Sequence, residues 1–283
     1  MKTFTKIWLG IALVAMGFGI ILIIIVVASG GSVVDLPTVS YQESYTGITD
    51  VDMDIEYAEV KVLQGDTFSI DAEDIPENSL EAYVENGTWM IRQNNDNVFT
   101  VFGAKIHLDD YRHWRWWKYD EPKITITIPD DFTAGSFKLG IGAGDVMIEE
   151  VIASKADFAV SAGRLVIDHA SISDESFYEV GAGVIELNEL QANDVSIDCG
   201  LGNIFIEGTI TGNNDITCGV GSVELRLDGD EDDYSYDIES GVGSINIGDD
   251  HFKGISDQKI TNDGTKGTFK LDCSVGNITV DFQ

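Results

Sequence analysis

From about residue 46 onward the chain alternates apolar and polar residues with period two, and the alternation recurs in copies. Each copy reads small–apolar–Gly followed by alternating apolars: GAGDVMI from Gly142, SAGRLVI from Ser161, GAGVIEL from Gly181 and GLGNIFI from Gly200. It returns as GVGSVEL from Gly219, GVGSINI from Gly241 and SVGNITV from Ser274. The second glycines are Gly144, Gly163, Gly183, Gly202, Gly221, Gly243 and Gly276, spaced 19, 20, 19, 19, 22 and 33 residues apart. Counted from that glycine, positions −5, −3, −1, +2 and +4 are apolar in every copy except at Ser240. Period-two alternation is the mark of a strand with one buried face. The phase breaks once, at the glycine, where a residue without Cβ lets the chain turn, with a positive φ as one way to do so. The pattern therefore predicts strands that turn a corner with all five apolar positions inward.

Each copy is then one turn of a coil. Turns stacked in parallel at about 4.8 Å place equivalent residues in columns, and no single turn can bury its own face. The predicted fold is all-β, a mostly parallel β-solenoid-like repeat domain with rungs of about 19–20 residues over residues 46–283. A degenerate copy lies upstream, where Met53, Ile55, Tyr57, Val60 and Val62 match the apolar positions and Ala58 replaces the glycine. Val84–Trp89 reads as a hairpin around Asn86–Gly87. Lys123–Ile128 reads as a strand ended by Pro129. The excursion from Gly248 to Gly267 is expected to cover an open end of the coil, since bare strand edges invite association.

The first 45 residues are of another kind. Ile7–Ala28 is a run of 22 uncharged residues, enough for a membrane-spanning helix. Lys2 and Lys6 precede it, so the positive-inside rule keeps residues 1–6 cytoplasmic. The apolar core of a cleaved signal usually spans about 7–15 residues, which favours an uncleaved anchor, although Val26–Val27–Ala28 offers a weak cleavage pattern. Either way the remainder is exported. Residues 29–45 read as a tether.

Charge narrows the function. The 283 residues carry 17 Lys+Arg against 49 Asp+Glu, a net charge of −32. Nucleic acid, which needs a positive surface, is not an expected partner. Three Cys exclude a disulfide scaffold. The glycine motif is no dinucleotide loop, because a strand follows it instead of a helix. Glu179 and Asp198 share position −4, and Asp228–Asp233 is a compact acidic turn. Calcium could relieve such crowding, but the turn lacks the EF-hand pattern and solvated acidic surface is the plain alternative. Cys199, Cys218 and Cys273 share the −3 column with Ile and Val, as small core hydrophobes would. Stacked in sequence order, Cys199 and Cys218 are neighbours close enough for a disulfide, and Ser240 separates Cys273 from them.

Tyr111–Tyr119 breaks the acidic pattern with three Trp and three basic residues. Trp114, Arg115, Trp116, Trp117 and Tyr119 are the candidate contact residues, since Arg-flanked aromatics mark binding hot spots and membrane interfaces. Packing beneath a loop is the structural alternative. No catalytic constellation stands out: the four His lie in unrelated contexts, and acids are too evenly spread to single out a hydrolytic pair.

The phrases GAGDVMI, CGLGNIFI, CGVGSVEL, SGVGSINIG and CSVGNITVDF, with the Tyr57–Ala58–Glu59–Val60 opening, resemble the bacterial putative-adhesin family of β-strand-repeat domains of unknown function. The resemblance covers about residues 46–283 and implies an exported, often membrane-anchored β-solenoid. Some relatives are associated with envelope stress responses. It implies no functional residues. The expected function is a non-enzymatic, membrane-anchored cell-envelope surface module that binds or scaffolds, with no cofactor. Its expected partners are membrane lipid through residues 7–28 and a cell-envelope polymer or membrane protein. The alternative is a regulatory module of envelope-stress signalling that binds a membrane partner protein.

Overall fold

The computed structural model describes residues 38–94, 98–101, 104–107, 122–262 and 266–283. The expected cytoplasmic tail 1–6 and transmembrane helix 7–28 lie outside the described residues. Among those described, no helix is long and apolar enough to cross a membrane.

The chain opens with β1 (Thr38–Tyr45), β2 (Asp50–Gly65), β3 (Phe68–Pro76), β4 (Leu80–Glu85) and β5 (Thr88–Gln93). A hairpin of β6 (Val98–Val101) and β7 (Ala104–His107) follows. The middle is built by β8 (Lys123–Pro129), β9 (Ala134–Val160), β10 (Arg164–Val180), β11 (Val184–Asn193), β12 (Val195–Cys199), β13 (Asn203–Cys218) and β14 (Ser222–Leu227). A 3-10 turn at Glu231–Asp233 leads to β15 (Tyr234–Ser240), β16 (Ser244–Ile247), β17 (Asp250–Lys253), β18 (Ser256–Ile260), β19 (Gly267–Cys273) and β20 (Asn277–Phe282).

The repeats stack as parallel strands whose registers match copy to copy. Before the glycine, Tyr178 of β10 pairs with Ile197 of β12, which pairs with Ile216 of β13. After it, Leu165 of β10 pairs with Ile185 of β11, which pairs with Ile204 of β13. The degenerate copy takes its expected place, with β2 pairing along β9 and Ala58 opposite Gly144. Columns −5, −3, +2 and +4 are buried in all seven glycine copies. In the middle rungs a third, short side follows: Val151 and Ala153 stack on Ala170 and Ile172, then on Leu190 and Ala192. These smaller apolar residues at +7 and +9 also face inward.

Both ends are closed by antiparallel strands. At one end β4 pairs with β5, while β3 pairs with β8 and is itself flanked by β1. The expected hairpin turn is there, with Asn86 and Gly87 at φ 52° and 86°. At the other end β18 covers β15 and β17 covers β16. The excursion from Gly248 to Gly267 thus caps the stack as expected, leaving no parallel edge bare there.

Two expectations are corrected. Thr38–Tyr45, read from sequence as tether, is strand β1 paired to β3. Its side chains are mostly exposed, so it shows no alternation. The order of the last rungs also differs from sequence order. Strand β19 lies between β13 and β15, and β20 lies between β14 and β16. The Gly276 rung is last in the chain and next to last in space. With β17 and β18 occupying the open edges of the Gly243 rung, the apolar face of 267–282 finds its burial in the slot beneath.

Candidate interaction surface

The site is built from the corner glycines. Inside every corner from Gly163 on, the −3 side chain of the neighbouring rung fills the space a Cβ would need, and at Gly144 the Ala58 backbone does. A Cβ on Gly221 would stand 2.9 Å from Cys199 Sγ, and one on Gly276 or Gly243 would stand 2.6 Å from Cys218 Sγ or Cys273 Sγ. The backbone crowds the same point: a Cβ on Gly163 or Gly243 would stand 2.5 Å from the carbonyl oxygen of the stacked glycine. Of the repeat glycines only Gly144 has a positive φ, at 137°. The corner therefore selects glycine for close approach between rungs, not for left-handed backbone.

Because the glycine takes the inner side of the bend, the residue before it faces out. The expectation that position −1 is an inward column is overturned. Leu201, Val220, Val275 and Val242 are 68%, 57%, 56% and 79% exposed. Backbone hydrogen bonds link these corners in that order, from Val220 N–H to Gly200, from Val275 N–H to Gly219 and from Val242 N–H to Ser274. The turn between β17 and β18 extends the row, with Gly254 N–H donating to Gly243 O at 3.4 Å. Ile255, next along, is 97% exposed. Four aliphatic side chains thus form one ridge at rung spacing, roughly 4.8 Å per step, and Ile255 follows them in the adjoining turn.

The ridge is uncharged except at one end. Residues 200–203, 219–222, 274–277, 241–244 and 254–256 contain only Gly, Ser, Asn, Leu, Val and Ile, and exposed Lys253 pairs with Ser244 beside Ile255. Three residues before the apexes runs a mostly acidic column, Glu179–Asp198–Thr217–Asp272–Glu239, continued by Asp257, in paired register. The cap beyond β14 is also acidic. There the Glu231 carboxyl is held above the usual carboxylate range by partial burial and by the charges of Asp250, Asp232 and Asp249.

The cysteines serve the corner from inside. All three are free and buried. Inserting β19 beneath β15 stacks Cys273 on Cys218, which stacks on Cys199, so Ser240 does not separate them. Contact with Cys199 and burial push the Cys218 thiol up, and burial pushes Cys273 up to about 11. Cys218 and Cys273 are therefore protonated packing groups. The Cys199 thiol donates to Gly202 O at 3.2 Å, and Ser240 Oγ donates to Gly243 O at 3.4 Å. The one polar residue of the column thus makes the hydrogen bond that a thiol makes three rungs away.

Trp114, Arg115, Trp116, Trp117 and Tyr119 lie outside the described residues. Gln93 and Pro122, described residues on either side of this segment of sequence, meet at the corner of Ala58. There Tyr57 N–H donates to Gln93 Oε1 at 2.8 Å and Glu59 N–H donates to Pro122 O at 2.9 Å. An open groove of about 530 Å³ adjoins this point, walled by Asp54, Glu56, Glu81 and Arg92 over Gly140 and Gly142. Arg92 is held there by Asp52, at 2.8 Å.

Residues 48–281, which carry these glycine corners and parallel columns, match the Toastrack DUF4097 family model. The chain belongs to that family. The Toastrack domain is similar to a putative cell adhesion protein of Clostridium sporogenes, at 14% identity and a TM-score of 0.35, covering 87% of this chain and 100% of that one. It is similar to a putative adhesin of Bacteroides fragilis, at 14% identity and a TM-score of 0.41, covering 86% and 97%. It is also similar to a putative lipid binding protein of Parabacteroides distasonis, at 12% identity and a TM-score of 0.42, covering 87% and 97%. No curated protein matches the chain.

Proposed function

We propose that this protein is a non-enzymatic surface-binding module of the cell envelope, held to the membrane by the helix expected at 7–28, with its N-terminus cytoplasmic and its repeat domain outside. The observation that carries the reading is the ridge: five exposed aliphatic side chains in a strip uncharged except at one end, on a chain of net charge −32. Contiguous apolar surface on an otherwise strongly charged domain marks a contact site. The stacked strands hold it rigid, so little conformational freedom is lost when a partner binds.

The domain's described core and strand pairings lie within residues 38–283, so this fragment is the reagent. It is sedimented with isolated envelope beside two variants. One carries Leu201→Ala, Val220→Ala, Val242→Ala and Val275→Ala; the other carries Trp114→Ala, Trp116→Ala and Trp117→Ala. Each truncation removes roughly 1 kcal/mol of apolar burial in the complex, so the first variant should lose binding by more than about tenfold. Binding that survives in the first variant and disappears in the second would move the contact to residues 111–119.

A further inference from the structure

We infer that the ridge seats in the surface of a lipid bilayer with zwitterionic headgroups, an inference that rests on the surface-binding reading above and names its partner. Three observations select this occupant. The first is shape. Leu201, Val220, Val275, Val242 and Ile255 stand in single file on the outside of a corner. A fluid surface accepts a convex row without a matching groove. The second is area. Five side chains of this size expose on the order of a few hundred Å², well short of the roughly 800 Å² per partner that a stable dimer buries. A second copy would also bring its own charge of −32. The third is charge. The four apex segments are neutral, and the one charge at the strip's end, Lys253, is exposed on a long stem that keeps its ammonium in the headgroup layer, so no ion must be desolvated when the strip enters it. Asp198, Asp272 and Glu239 line one side of it, three residues before their apex residues, and Asp257 follows Ile255 by two. With the aliphatic side chains inserted, those carboxylates meet the headgroup layer, where the ammonium groups of choline or ethanolamine lipids are complementary to them. Anionic headgroups would be repelled by the same residues.

The test uses the full chain reconstituted with phosphatidylcholine vesicles. An environment-sensitive fluorophore is placed on Val220→Cys. The three native cysteines are buried and so do not compete for the label. A control label goes on Glu189→Cys, whose side chain is 75% exposed on the short third side. The expected result is a blue shift and quenching by acyl-chain-brominated lipid at position 220 and neither at 189. Both signals should be lost when Leu201→Ser, Val242→Ser and Val275→Ser are added, and reduced when phosphatidylglycerol replaces part of the phosphatidylcholine. A label at 220 that stays unquenched overturns the inference, as does equal quenching at 189 or stronger quenching on anionic vesicles. Shielding of position 220 only in protein-containing envelope would assign the ridge to a protein and also overturn it. Flotation after alkaline carbonate extraction is scored separately. Its failure removes the anchor from the proposed function and leaves the quenching result to decide the ridge.

Discussion

The two halves of the stack share one corner and differ at its apex. In the rungs of Gly144, Gly163 and Gly183 the apex residues are Ala143, Ala162 and Ala182; in those of Gly202, Gly221, Gly276 and Gly243 they are Leu201, Val220, Val275 and Val242. The strands on either side pair in the same parallel register, and from Gly163 on the −3 side chain fills the same space inside. Three alanine corners show that the fold asks nothing of this position beyond facing out. Leucine and valine at four others are therefore not explained by folding. They cost solubility unless something covers them. The comparison separates what the stack needs, glycine at zero, from what it is free to vary, the residue before it.

The largest break in the comparison should come from shortening the chain. Removing residues 266–283 empties the slot between the Gly221 and Gly243 rungs, exposing the faces of β13, β14, β15 and β16 at once. Loss of the cooperative unfolding transition for the C-terminal rungs is expected, read by hydrogen exchange across 203–260. A stack built in sequence order would lose one end rung and keep the rest.

Next is Gly221→Ala. Its Cβ would meet Cys199 Sγ at 2.9 Å and the Gly202 backbone. A destabilisation of about 3 kcal/mol or more is expected in urea unfolding, in the range of severe overpacking. Val220→Ala, one residue away, should stay within about 0.5 kcal/mol of wild type, as exposed substitutions do.

The smallest effect concerns the acidic cap. Glu231 has its folded-state pKa raised, by burial and then by Asp250, Asp232 and Asp249. Its protonation therefore favours the fold. Stability from this group is full below the ordinary carboxyl pKa and is lost as pH rises through the raised one. Glu231→Gln should raise Tm slightly at pH 7 and make no difference near pH 3. A lower Tm at pH 7 would contradict the assigned repulsion.

Much of this architecture was legible in the residues. The 19–20-residue spacing gave the parallel columns, Asn86–Gly87 gave its hairpin, and the excursion after Gly248 was identifiable as a cap. What was not legible has physical causes. Alternation alone places Leu201 and Val220 inward, because an apolar residue two positions after a buried one normally continues the face. Only the crowding of Cys199 Sγ against Gly221 reveals that the bend spends its inward position on glycine. The slot of β19–β20 was hidden because the spacing of 33 residues to Gly276 fits either stacking order. Strand β1 was hidden because its exposed side chains carry no period. The ridge was therefore present in the repeat pattern but assigned to the wrong side of the sheet.

If the aliphatic apexes form the proposed contact surface, the fold does not need them. The most direct measurement converts the C-terminal corner into the N-terminal one, with Leu201→Ala, Val220→Ala, Val242→Ala and Val275→Ala in one chain, and follows unfolding and envelope binding side by side. A urea midpoint close to wild type together with binding reduced more than about tenfold is expected. A variant that unfolds much more easily, or that binds as well as wild type, would contradict it.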